Sequence, residues 1–417
     1  MQRMVLTPSP VPVRRLLLVW VLAAIPCGLA EAQVSAPSTR AIPVDAEGAG
    51  FDSSALEALD ALFEREVEQG RVVGCVALAA RGDHVGYCRT FGLRDREAEE
   101  PMTEDTIFRI YSMSKPVTSV AVLMLVERGS IQLDDPVEKH LPALAEQRVL
   151  AEVDGEMVEV AAERSMTVRD LLRHTSGLTY GFFGNTPVDQ AYRKAGILSR
   201  QDDLEALVEE LAEIPLLHQP GTRYHYSVST DVLGRLVEVV SGQDFAAFLE
   251  ENIFEPLGMV DTFFTVPRER QERLAQLYRP VEGGGLAPAR AMTSWRFVNP
   301  NRFYSGGGGL CSTIGDYLRF ARMLLGKGEL DGTRILEEET VAAMTSDQLG
   351  EIRGRRGGFR FGLGVSIDDR GRYGWGGAAG TRFWIDPREG MIGLFMVQIY
   401  PYRAPNYERQ MKDILYD

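Results

Sequence analysis

From Arg109 the chain reads "RIYSMSKPVTSV" and then "AVLMLVERG", a helix-length run that is apolar on every side after its first turn. A helix with no polar face has to be enclosed, so the rest of the fold must be built around this one. Pro116 is compatible with such a start, because first-turn amides have no partner inside the helix. The entrance therefore carries Ser112 and Lys115 into the interior, three residues apart and on one face. A serine hydroxyl is a poor nucleophile until a neighbouring base takes its proton. Lysines serve as bases where burial disfavours their charged form. The partial positive charge of a helix N-terminus also favours a developing oxyanion. The spacing thus points to acyl-transfer chemistry, although Ser-x-x-Lys alone is a short and common pattern.

Around that helix the signals are unevenly distributed. "FDSSALEALDALFEREVEQGR" has helical spacing at Leu56, Leu59, Phe63 and Val67 and stops at Gly70. "VVGCVALAARGDHVGYCRTFG" reads as two strands about a turn. Strand patterns return only near the other end, in "FRFGLGVSI", "RYGWGG", "GTRFWIDP" and "MIGLFMVQIY", followed by an amphipathic "YERQMKDILYD". Between them lie helical patterns. "SMTVRDLLRHTSGL" carries a Thr167/Asp170 capping box and is expected to close at Gly177. "TDVLGRLVEVVSG" and "FAAFLEENIFEPLGM" follow. One sheet built from both chain ends, with a helical region inserted, is the α/β (α+β) architecture this order implies.

The first 32 residues stand apart. Arg14 and Arg15 precede "LLLVWVLAAIPCGLA", and Ala30-Glu31-Ala32 offers a cleavage site before Gln33, so a secreted or periplasmic protein is expected, with a polar leader over 33–50. The apolar run is short for a stable membrane span. Loss of this segment removes three basic groups and one acidic group, taking the formal charge from −14 to −16. So acidic a chain repels phosphate backbones, which argues against nucleic acid as a partner.

Three cysteines are expected to remain after Cys27 leaves with the signal segment. With a two-residue Arg81-Gly82 turn, Ala80 faces Asp83 and Cys75 faces Cys88, a register that permits a disulfide; two free thiols are the alternative. Cys311 is left over. No Cys/His set has metal-ligand spacing, and no cofactor is called for. The Gly306–Gly309 run lacks the Gly-Lys-Ser/Thr of a nucleotide loop and reads as a flexible connector to a helix capped by Ser312 or Thr313.

Two further motifs suit the Ser112/Lys115 pair. Tyr226-Ser227-Val228 precedes a helix, and its phenol can share the proton with Lys115; a packed tyrosine beside Tyr224 is the alternative. Trp375-Gly376-Gly377-Ala378 lies on a late strand whose glycines allow close approach, and its Ala378 amide can pair with that of Ser112 as an oxyanion hole.

In order along the chain, "SMSK", "LLRHTSGL", "PGTRYHYSVSTDVLG", "FEPLGMVDT", "SGGGGLCST" and "WGGAAGTRFWIDP" resemble the serine β-lactamase-related family, more narrowly the family VIII carboxylesterases and class C-like hydrolases, over roughly residues 50 to 415. The resemblance implies an α/β domain with an antiparallel sheet (51–128 and 300–417), an all-helical domain (129–299) and a site between them. It implies Ser112 as the acylated nucleophile, Lys115 and Tyr226 as its bases, and Trp375, Gly376, Gly377 and Val228 as substrate-binding positions. His174 would be packing or capping. The chain departs from the penicillin-recognising pattern at Val228, where Asn is usual, and at Trp375 and Gly376, where Lys and Thr are usual. Those losses shift the expected substrate from β-lactams to small uncharged esters. A β-lactamase or D-alanyl-D-alanine carboxypeptidase, an acyltransferase and a non-catalytic sensor are the rival functions. Arg382 either restores carboxylate recognition or is structural, the second being favoured. An α/β-hydrolase is disfavoured, since no Gly-x-Ser-x-Gly occurs.

Overall fold

The computed structural model describes residues 42–199, 202–289, 294–352 and 359–416. The expected signal segment, its cleavage site and the leader up to residue 41 lie outside them. Helix α1 (Ser53–Glu68) starts at Asp52, whose carboxylate accepts from the Ser54 amide, and it buries Leu59, Leu62 and Phe63. Gly70 follows in the left-handed conformation, as the sequence pattern demands.

Eight antiparallel strands form the main sheet: β1 (Gly74–Arg81), β2 (His84–Asp95), β3 (Glu100–Pro101), β4 (Arg360–Phe361), β5 (Ser366–Ile367), β6 (Tyr373–Gly376), β7 (Arg382–Asp386) and β8 (Met391–Met396). Their order is β4-β5-β6-β7-β8-β1-β2-β3, so the N-terminal hairpin joins the C-terminal meander through β1 and β8. β1 is central and buried along almost its whole length. Its side chains alternate between two cores. Val76, Leu78 and Ala80 belong to the core that also holds Val117, Val120 and Tyr317, while Cys75, Ala77 and Ala79 belong to the one that holds Leu59, Phe63 and Met411.

That alternation corrects the disulfide. The hairpin turns at Gly82-Asp83, one residue later than expected, and a bulge interrupts the pairing between Ala79 and Ala80. Cys75 consequently faces Phe91, and Cys88 faces Leu78. Cys75 lies in one core and Cys88 in the other, and both are free thiols. A single slip of register is enough to separate two such residues across a sheet.

Helix α2 (Ser114–Glu127) is the enclosed helix, with every residue from Ser114 to Leu125 buried. The inserted region packs α4 (Ser229–Ser241) beside it, with α3 (Val168–Leu172) against α4. Thr167 and Asp170 form the expected capping box. However, α3 ends at Leu172, five residues before Gly177. The Thr175 hydroxyl and amide turn back onto Asp170, and His174 takes a positive φ of 57°. The region also carries a hairpin, Arg148–Val153 with Glu156–Ala161, closed by Asp154-Gly155 with both residues at positive φ. Asp-Gly is the sequence such a turn favours, since its backbone twist matches that of the strands.

Candidate active site

Ser112 does not lie in α2 itself. It sits in a short 3-10 turn, Tyr111–Met113, that leads into α2. Tyr111 has φ of 43°, a strained conformation for an aromatic residue, and its ring is held against Phe297 and Tyr400 at 5.6 and 5.9 Å. The turn presents the Ser112 hydroxyl beside the next face of the helix. There the Lys115 amine, on a side chain only 1% exposed, donates to Ser112 Oγ at 3.3 Å and to the Gly307 carbonyl at 2.5 Å. Tyr226, just before α4, donates to the same Ser112 Oγ at 2.8 Å. The amine also stands 4.7 Å from the centre of the Tyr226 ring and 5.3 Å from that of Tyr180. Three residues from two separate motifs thus meet on one oxygen atom.

The glycine run beside Lys115 is not a loose connector. Gly306 accepts from the Thr118 hydroxyl at 2.8 Å, the Gly307 amide donates to Asp231 at 3.1 Å, and the Leu310 amide donates to Ser114 Oγ at 3.1 Å. A side chain at Gly307 would put its Cβ 2.5 Å from Asp231 Oδ2 and 3.0 Å from the Tyr180 hydroxyl. Glycine is required there by crowding, not by flexibility. Downstream, Thr313 caps α5 (Ile314–Leu325) by accepting from the Asp316 amide, while Ser312 lies in a short strand.

Asp231 was not singled out by any sequence motif. It is 0% exposed, on the first turn of α4. Burial pushes its carboxyl above the usual range, against the opposing influence of Lys115 and the bonds from Ser305 and Gly307. His174 is equally buried. Burial first, then the charges of Lys115 and His225, hold its imidazole well below the usual range. Its Nδ1 lies 3.3 Å from the Ser227 hydroxyl and its ring packs 4.8 Å from that of Tyr226, so it backs the tyrosine from behind.

On β6 the Trp375 ring stands 5.5 Å from Tyr226 and 5.3 Å from Phe361, giving that wall an aromatic surface. Its indole N–H has no hydrogen-bond partner among the described residues. Gly377 brings the strand end against the turn that carries Ser112, since a Cβ there would sit 2.4 Å from the Ile110 carbonyl. The turn bonds that follow use the amides of Gly377 and Gly380 and omit that of the exposed Ala378. Gly376 pairs with Arg382, whose side chain shares the opposite face of the sheet from Trp375 and lies 3.8 Å from Glu408. Arg382 is therefore a structural residue. Val228 is also displaced from its expected role: it is fully buried in the core as the residue before α4, and it offers substrate no surface.

At the rim, Phe182 and Phe183 are 61% and 60% exposed, with Phe183 6.0 Å from the Tyr226 ring. Their loop is firmly tied. Asp189 accepts from Thr179 and Thr186, and Arg193 donates to the carbonyls of Gly181 and Gly184.

An antiparallel sheet backing a fully buried helix, with serine, lysine and tyrosine meeting at the helix entrance, defines the serine hydrolases of the penicillin-binding type. The chain belongs to the Beta-lactamase family, whose model matches residues 59–414. Protein Rv1367c of Mycobacterium tuberculosis is 36% identical over 360 residues, covering 81% of this chain and 88% of that protein. Esterase EstB of Burkholderia gladioli is 33% identical over 386 residues, covering 85% of this chain and 94% of that one. Among solved structures, EstCE1, described as a hydrolase with promiscuous acyltransferase activity, superposes with a TM-score of 0.75 at 27% identity, covering 87% of this chain and 99% of EstCE1.

Proposed function

We propose that this protein is a carboxylesterase that acts on short acyl esters through an acyl-enzyme on Ser112. The observation that carries this is the shared hydrogen-bonding of Ser112 Oγ, with the Lys115 amine at 3.3 Å and the Tyr226 hydroxyl at 2.8 Å. Lys115 and Tyr226 together take the serine proton as Oγ attacks the ester carbonyl. The amides of Ser112 and Ala378 stabilise the resulting oxyanion. As the tetrahedral intermediate collapses, the proton passes to the departing alcohol oxygen. Water then repeats the sequence, deprotonated by the same pair, and releases the acid while Ser112 regains its proton.

Trp375 supports uncharged esters over penicillin-like substrates, because an indole supplies apolar area and one donor but no positive charge for a carboxylate. The esterase EstB is consistent with this reading. The expected test result is hydrolysis of p-nitrophenyl butyrate that is lost in Ser112→Ala, with a mass increase of one acyl group on Ser112 in trapped enzyme. Nitrocefin turnover at a comparable rate would instead favour a β-lactamase. Acyl transfer to an added alcohol is a second reading, supported by the description of EstCE1, and ester formation competing with hydrolysis would establish it. We also propose export, which predicts a mature N-terminus at Gln33.

A further inference from the structure

We propose that Asp231 is the positioning residue for the Ser112–Lys115 pair, fixing the Gly306–Gly309 loop so that the Gly307 carbonyl holds the Lys115 amine in place. The inference rests on the reading of Ser112 as nucleophile. Lys115 has four flexible side-chain bonds, and its amine must stay within reach of one hydroxyl. Tyr226 contacts it with a ring face, which is not directional. The Gly307 carbonyl, at 2.5 Å, is its shortest polar contact. A carbonyl at the middle of four consecutive glycines points reliably only if the loop is tied on both sides.

The loop is tied from two helices. From α2, Thr118 donates to the Gly306 carbonyl and Ser114 accepts from the Leu310 amide. From α4, Asp231 Oδ1 accepts from the Gly307 amide and from the Ser305 hydroxyl. Among the described residues, Asp231 is the one that accepts from the amide of the residue whose carbonyl receives the lysine. Its other oxygen, Oδ2, has no hydrogen-bond partner among the described residues and lies on the side of Gly307 crowded by the Tyr180 hydroxyl. An unpartnered buried carboxylate oxygen is costly. An aliphatic residue would be the cheaper occupant of this core position unless Oδ1 had a task.

The role belongs to an acceptor oxygen at the Oδ1 position, so an amide can replace the carboxylate. The experiment compares Asp231→Ala and Asp231→Asn in the full chain, with kcat and KM for p-nitrophenyl butyrate expressed per mole of folded monodisperse protein. The expected result is a loss of about 100-fold in kcat for Asp231→Ala with KM within about twofold of the parent, the scale of a small misplacement in a reacting pair. Asp231→Asn is expected to recover at least about tenfold of that loss. Ser305→Ala, which removes one bond to the carboxylate from outside the glycine run, is expected to lower kcat about threefold, and it carries the test if Asp231→Ala does not fold. Asp231→Ala with kcat within about threefold of the parent would overturn the proposal. So would an Asn variant no better than Ala, a loss that falls on KM, or, in the fallback, Ser305→Ala at parental kcat. The control separates the two ideas: residual turnover in Ser112→Ala sinks the nucleophile assignment, whereas a silent Asp231→Ala sinks only the positioning role.

Discussion

At the floor of the site, Ser112, Lys115, Tyr226 and Gly307 are joined by short polar contacts beside α2 and α4. At the rim, two phenylalanines stand largely in water on a loop whose own backbone is firmly bonded. The floor uses direction and the rim uses area. Acyl transfer needs a proton donor and acceptor held within a few tenths of an ångström, which only enclosed hydrogen bonds supply. Recognition of an apolar group needs mostly contact surface, which tolerates substitution.

Each prediction tests that division. Ser112→Ala is expected to lower kcat by about four orders of magnitude or more, leaving the far-ultraviolet spectrum intact. Retained turnover would show that the floor has been misidentified. Tyr226→Phe keeps the ring against Trp375 and Lys115 but removes the hydroxyl, and a loss of about 10² to 10³ in kcat is expected, with little change in KM. A loss confined to KM would move Tyr226 from the floor to the rim. Phe182→Ala and Phe183→Ala are expected to raise KM by about three- to tenfold for hexanoate esters, less for acetate esters, with kcat nearly constant. A fall in kcat alone would contradict the division.

A buried carboxylate removed from both regions provides the smallest effect and a control. Asp316, on α5, accepts from the Asp261 amide at 2.6 Å and the Thr262 hydroxyl at 2.9 Å, and burial pushes its pKa from 3.8 up to about 6. Its folded pKa exceeds the unfolded one. Its contribution to stability is therefore complete below about pH 4 and is lost as the pH rises through about 6. Between pH 5 and 7 the urea midpoint of the parent should fall relative to that of Asp316→Asn, while kcat responds alike in both.

The legible parts of the molecule were those whose signal is local. Ser112 with Lys115, the aromatic-glycine strand and the Thr167/Asp170 cap each occupy a few adjacent residues, because one helical turn or one strand end brings their atoms together. The partnership of Asp231 with Gly307 spans 76 positions, and four glycines in a row look the same whether they are slack or crowded. Hairpin register failed for a related reason. Strands β1 and β2 were evident, but a turn displaced by one residue and a bulge between Ala79 and Ala80 leave no mark in residue types. Val228 matched a motif by position, yet whether a side chain just before a helix points at the cleft or the core depends on packing alone. The Asp154-Gly155 hairpin went unread among the helical patterns, although its turn residues are a local signal.

The separation of Cys75 from Cys88 by the thickness of a β-sheet has a practical consequence. Burial pushes the thiols of Cys88 and Cys311 up to about 12 and that of Cys75 higher still, so none presents a thiolate at neutral pH. Among the described residues no disulfide has to form, so their folding calls for neither an oxidant nor a disulfide isomerase. Protein made in a reducing cytosol should match protein made under oxidising conditions, with a melting temperature indifferent to dithiothreitol.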